Sequence, residues 1–312
     1  MSGTVDLPSA AGLALYNALI SELQDAFATR YLSVAGLVVL LYDHVLTFND
    51  EVSLVWRAPA SFPKYAFLFN RYLVLGCLLA VAYEMCGFIG ITLSDIGCRS
   101  LLFTTSILAI FSIGIANILV LLRVVILWDH RPIVVKLMTV GFITSFSAQV
   151  VTLGFSLSKL APNVVWSTEA QMCITTTTTP IFVAVWACPM LYEILVLFST
   201  VLNALDRPRG AQLPITKALY RDGIIYFVAL TGLRALNLAF AALRKPALVM
   251  LGAFFVWAMT TTVLNRSLLR LRQAEVEEDI PPSSGRASPF HSRKSTVDIE
   301  TPKHYRPARF KP

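Results

Sequence analysis

Charge is what this 312-residue sequence has least of: 14% of its residues are Asp, Glu, Lys or Arg, against 56% hydrophobic. Soluble globular domains carry about 25% charged residues, so that class is set aside first. The five cysteines include no C-x-x-C spacing, which removes a structural zinc site and a thioredoxin-like motif. The first 30 residues lack a basic stretch followed by a short apolar core, so the first span itself is expected to direct insertion. No glycine-rich phosphate loop and no Ser/His/Asp set is recognisable, so we expect a protein that is not an enzyme. Only His44 and His130 of the four histidines precede the carboxy-terminal tail, too few for a seven-helix zinc hydrolase or a bis-histidine haem protein, so no metal and no cofactor is expected. The last apolar run has no lysine for a retinal Schiff base. It ends Thr260-Thr261-Thr262-Val263-Leu264-Asn265, without the Asn-Pro-x-x-Tyr of rhodopsin-like receptors.

What the sequence does have is long apolar runs, and its mean hydropathy is +0.66. Seven are placed near 31–48, 65–90, 99–127, 133–157, 180–202, 222–243 and 247–264. Each can cross a hydrocarbon core of about 30 Å at about 1.5 Å per residue. The fold expected is all-α: a polytopic integral membrane bundle of seven transmembrane helices over 30–264. In residues 1–29, Leu13, Tyr16, Ile20, Leu23 and Phe27 recur at helical spacing, which predicts a short amphipathic helix on the bilayer. Leu264, Leu268 and Leu271 share a face opposite Arg266, Arg270 and Gln273, which predicts a separate membrane-surface helix over 265–276. From 277 to 312, Pro, Ser, Arg and Lys dominate, a disordered basic composition.

Lys and Arg near the segment ends set the expected orientation. With the amino terminus outside, ten of them, including Arg57, Lys64, Arg71, Arg123, Arg131 and Arg207, fall inside. Five fall outside: Arg30, Arg99, Lys159, Arg244 and Lys245. The amino terminus is therefore expected outside and the carboxy terminus in the cytosol, in the plasma membrane. The formal net charge of +7 follows from this distribution, and nucleic acid is not an expected partner.

One stretch carries more than composition. The order Arg30-Tyr31, Tyr42-Asp43-His44-Val45-Leu46-Thr47, Glu51-Val52, Trp56 and Asn70-Arg71-Tyr72 resembles the signature of a family of fungal membrane proteins. That family comes mainly from mushroom-forming fungi, is held to be seven-helical, and is catalogued as a domain of unknown function. The resemblance implies a class and no activity.

Candidate sites follow from side chains that are costly in lipid. Glu84, Asn117, Gln149, Glu193 and Arg234 are polar groups within spans, and such groups mark function by default. Glu193 and Arg234 on successive helices suit an ion pair. That pair either fixes packing or belongs to a polar cavity that binds a ligand or moves an ion. Pro189, one turn before Glu193, frees a carbonyl and suits a kink near such a cavity. Asp43, His44, Glu51, Arg71, Arg123, Asp129 and His130 are read as an inner-face charge network, with Asp43 and Glu51 pairing to Arg71 or Arg123. Cys98 and Cys173 fall on the same outer side, where a disulfide would persist. In the tail, Ser288 and Thr296 follow basic residues and are candidate phosphosites. The unmodified tail should be drawn to anionic lipid. Together these features point to a receptor-like or sensory protein with a small-molecule ligand and a cytosolic signalling partner. A small-solute or ion transporter is the alternative, and a structural membrane protein the third.

Overall fold

The computed structural model describes residues 10–86, 93–175, 177–206, 214–244 and 246–278. Seven helices among them are long and apolar enough to cross a membrane. They are α1 (Ala10–Glu51), α2 (Phe62–Met85), α3 (Asp95–Leu127), α4 (Pro132–Leu160), α5 (Phe182–Asp206), α6 (Pro214–Ala242) and α7 (Pro246–Glu278). Between α4 and α5 lies a hairpin of β1 (Val164–Ser167) and β2 (Met172–Thr175), antiparallel, with Val164 opposite Thr175 and Ser167 opposite Met172. The protein is an all-α polytopic membrane protein, and its surroundings are a lipid bilayer. Large apolar side chains such as Val45, Ile133, Leu191 and Phe198 accordingly stand exposed on the outside of the bundle.

Helix ends carry ordinary start signals. Pro63, Pro132 and Pro246 sit in the first turns of α2, α4 and α7, where a missing N–H leaves no bond unmade. Ser94 caps α3 by accepting the Gly97 N–H at 3.2 Å, and Asp95 follows it, favourable at the positive end of the helix dipole. The turn from α3 to α4 is closed by Asp129 and His130, with φ of 52° and 56°, two consecutive left-handed residues that reverse the chain before Pro132.

α1 packs against α7 and α2, α7 against α6, α6 against α5 and α5 against α4, while α3 lies against α2, α4 and α5. Leu40, Val74, Leu78, Trp257 and Ala258 form one buried cluster among α1, α2 and α7. Val124, Met138, Tyr192, Val196 and Leu264 form another among α3, α4, α5 and α7. The α6–α7 contact is close because Gly252 lies there: a Cβ would come within 2.8 Å of both Asn237 Oδ1 and the Phe240 ring, as small residues at membrane-helix contacts permit.

Three expectations change. The amphipathic helix over 1–29 and the first span are one unbroken helix from Ala10 onward, because no Gly or Pro interrupts Leu13 to Tyr31. The surface helix over 265–276 does not exist as a separate element. α7 runs straight through to Glu278, with Asn265, Ser267 and Leu269 buried, again because nothing in the sequence breaks the helix. The loop between α4 and α5, for which only a Cys98–Cys173 bridge was expected, contains the hairpin. The tail, with Ser288 and Thr296, lies outside the described residues, as does the end of the second predicted span from 87 to 90.

Candidate functional site

The hairpin roofs one end of the bundle and is fastened there from several sides. Cys98 and Cys173 are joined by a disulfide that ties β2 to the first turn of α3. Glu84 of α2 accepts the Cys173 N–H at 2.7 Å, so this costly intramembrane carboxylate is used on the hairpin. Arg30 of α1 donates to the Ala170 carbonyl in the hairpin turn, and Asp95 accepts the Trp166 N–H at 3.1 Å. A disulfide in a small secreted domain contributes about 2–5 kcal/mol. Replacing Cys98 and Cys173 by Ser should therefore lower the unfolding temperature in detergent. Non-reducing peptide mapping of the wild type should recover the two cysteines in one linked species, and recovery of two free thiols would contradict the bridge.

Beneath the roof, three cavities adjoin along the bundle axis. The first, about 50 Å³, lies under the hairpin against Glu84, Thr105, Met250 and Phe254. The second, about 70 Å³, shares Thr105, Met250 and Phe254 with it and descends among α3, α4, α5, α6 and α7. Its walls are mainly apolar, including Ile110, Leu153, Trp186 and Trp257, and its polar groups include Gln149, Arg234, Asn237 and Thr260. Gln149 is 1% exposed and Asn237 3%. Gln149 Nε2, Asn237 Oδ1 and Thr260 Oγ1 have no hydrogen-bond partner among the described residues. The third, about 20 Å³, shares Arg234 and Thr260 with the second and is lined also by Asn117 and Glu193. Arg234 Nε meets Glu193 Oε1 at 2.9 Å, so the ion pair stands between the second and third cavities. All five intramembrane polar residues read from the sequence therefore line this chain of cavities. Asn237 and Thr260 were missed. The signal available was a single Asn one turn after Arg234, and a Thr run that was read only for what it lacks.

At the opposite end of the bundle, a second polar cluster is built from α1, α2 and α7. Arg71 and Glu51, both fully buried, are paired at 2.9 Å. Arg71 also donates to Thr47 Oγ1 at 2.7 Å and lies over the Phe67 ring. Glu51 Oε1 accepts from Tyr72 Oη at 2.9 Å and from Trp56 Nε1 at 3.0 Å. A π-helical turn over Val52–Trp56 brings the indole back to Glu51, five residues earlier. His44 stands edge-on to Tyr72. Asp43, 1% exposed, pairs with Arg266 of α7. The partner expected for Asp43 was Arg71 or Arg123. Arg266 was overlooked because it was assigned to a surface helix. Arg123 instead donates to Ser267 Oγ. Asp129 and His130 are exposed on the α3–α4 turn and take no part in the Glu51–Arg71 cluster.

No curated protein matches this chain. Residues 31–76 match a family model described as a family of unknown function, DUF6533, and that matched stretch is the one that supplies Asp43, His44, Thr47, Glu51, Trp56, Arg71 and Tyr72 to the cluster.

Proposed function

We propose that the chain is a receptor-like or sensory seven-helix membrane protein, a binding protein and not an enzyme, whose ligand occupies the cavity among α3–α7. The observation that carries this reading is the set of Gln149 Nε2, Asn237 Oδ1 and Thr260 Oγ1, without a hydrogen-bond partner among the described residues, on a mainly apolar wall. Buried polar groups are almost always hydrogen-bonded, and leaving one unsatisfied costs about 1–3 kcal/mol. Their retention favours a ligand with a polar head that accepts from Gln149 and donates to Asn237. The charge of Arg234 is already matched by Glu193, which favours a neutral head on a mostly apolar body. Cavities for drug-sized ligands are about 300–1,000 Å³, so a volume of about 70 Å³ calls for a small molecule, or for opening into the two cavities that share its walls.

In this proposal the amino terminus and hairpin face outward, where the disulfide persists, and the opposite end meets a cytosolic partner at the plasma membrane of a fungal cell. A small-solute or ion transporter is the second reading. It is favoured by one observation, the Glu193–Arg234 pair standing as a closed gate between two cavities.

Reconstituted protein separates the two. A library of small neutral alcohols, ketones and amides should contain compounds that raise the unfolding temperature of the wild type, without solute or proton flux into sealed vesicles. Flux that depends on Glu193 and Arg234 would replace the receptor by the transporter. Sidedness is read from an epitope at residue 312. It should be reachable by antibody only after cells are permeabilised, and staining of intact cells would reverse the orientation.

A further inference from the structure

We propose that the ligand of the cavity among α3–α7 is an unbranched aliphatic alcohol, held with its hydroxyl deep in the bundle and its chain toward the hairpin, an assignment that rests on the receptor reading above. Shape is the first support. On α3 the cavity is lined from Leu102 to Ile113, a rise of about 16 Å at about 1.5 Å per residue. On α4 it is lined from Gln149 to Leu160, the same number of turns. Its volume over that length is about 70 Å³. One water needs about 10–15 Å³ of such space, so the cavity holds about five to seven water-sized groups end to end. A slot one group wide admits a methylene chain and turns away a ring. At about 1.2 Å per bond of an extended chain, a hydroxyl and about ten carbons fill it.

Polarity gives the direction. The outer end, shared with the cavity under the hairpin, is set by Leu102, Thr105, Met250 and Phe254. The Thr105 hydroxyl is turned back on its own helix, donating to the Leu101 and Leu102 carbonyls at 2.8 and 3.2 Å. The groups without partners lie at the other end. Phe146, one turn before Gln149, meets α3 at Gly114, where a Cβ would come within 2.8 Å of its ring. Leu238, next to Asn237, packs in one cluster with Ile113 and Trp186. Gln149 and Asn237 therefore stand level with Ile113, the last α3 residue of the cavity. Arg234 and Thr260 are at this end too, since they also line the small cavity around Glu193. Trp257 uses its indole N–H on Ser112 Oγ at 3.0 Å, which leaves the ligand only its ring. A hydroxyl accepts from Gln149 Nε2 and donates to Asn237 Oδ1 with one atom. An ionised fatty acid offers Asn237 no donor and finds Arg234 already paired with Glu193.

The test uses the full chain in nanodiscs and a series of 1-alkanols compared at equal free aqueous concentration. The response of Gln149→Met with Asn237→Leu supplies the background from alcohol in the bilayer. Above that background, affinity should rise about fourfold per added methylene and stop rising near ten carbons. 1-Decanol should bind more tightly than cyclodecanol and than decanoate. Leu102→Trp, which fills the outer end, should bring the plateau down to shorter chains, with 1-decanol losing more than 1-hexanol. Equal binding of 1-decanol and cyclodecanol, or no plateau, would overturn the chain while the ligand site stands. Tighter binding of decanoate would make the head an anion and overturn the alcohol. A protein that responds to no neutral compound of any shape would lose the site and the chain together. Where Leu102→Trp does not fold, the wild type decides. A 1-decanol with a photoreactive group at its chain end should label peptides spanning 98–106 or 157–160, and labelling confined to other peptides would overturn the direction of binding.

Discussion

Arg71→Ala is expected to be the most damaging single substitution in this protein, with a loss of about 3–5 kcal/mol. The reason is what it leaves behind. Glu51 is fully buried and paired with Arg71, and without the guanidinium its charge stays in a medium of low dielectric. Tyr72 and Trp56 still donate to Glu51, but neutral donors do not balance a charge. Thr47 loses a donor at the same time. Removing both charges, as in Glu51→Leu with Arg71→Leu, should cost less than Arg71→Ala alone, because replacing a whole buried ion pair by apolar groups is often nearly neutral. Thermal unfolding in detergent with a double-mutant cycle measures this. Purely additive losses would mean that the two side chains do not depend on one another.

The Glu193–Arg234 pair should behave in the same way in the middle of the bundle. Its side chains are 12% and 4% exposed, and Glu193 Oε2 has no hydrogen-bond partner among the described residues. Arg234→Ala is expected to cost about 3–5 kcal/mol, and to cost more than Arg234→Ala combined with Glu193→Ala. The two pairs also predict different functional results. Loss of the Glu51–Arg71 pair should act on folding alone, whereas the Glu193–Arg234 double variant, once folded, should have altered ligand binding, since Arg234 lines the ligand cavity. Unchanged binding in a folded double variant would reduce that pair to a packing device.

Much of this molecule was legible in the sequence because lipid imposes simple demands. A span needs about 20 apolar residues, so the seven runs could be counted. A charge inside one is expensive, so Glu84, Glu193 and Arg234 stood out. Two of the failures share a cause: continuity is invisible when composition changes but the helix does not stop. Leu264 to Glu278 turns basic without a Gly or Pro, and α7 continues through it. That error hid Arg266 from Asp43. The hairpin was missed although Val164-Val165-Trp166-Ser167 and Met172-Cys173-Ile174-Thr175 carry β-branched and aromatic residues around a four-residue turn. Asp129 and His130 were grouped with Asp43 and His44 on dipeptide identity alone, which says nothing about position.

The most direct measurement asks whether Gln149 and Asn237 are kept for the fold or for a ligand. Gln149→Met with Asn237→Leu replaces both by apolar groups of similar size, and for polar atoms without partners such a change should be neutral or stabilising. The unfolding temperature of the ligand-free double variant should equal or exceed that of the wild type, by about 2–4 °C for each kcal/mol gained. Every compound that stabilises the wild type through this cavity should lose its effect on the variant. A double variant that unfolds several degrees earlier, or that responds to those compounds as the wild type does, would contradict a ligand site built on these residues.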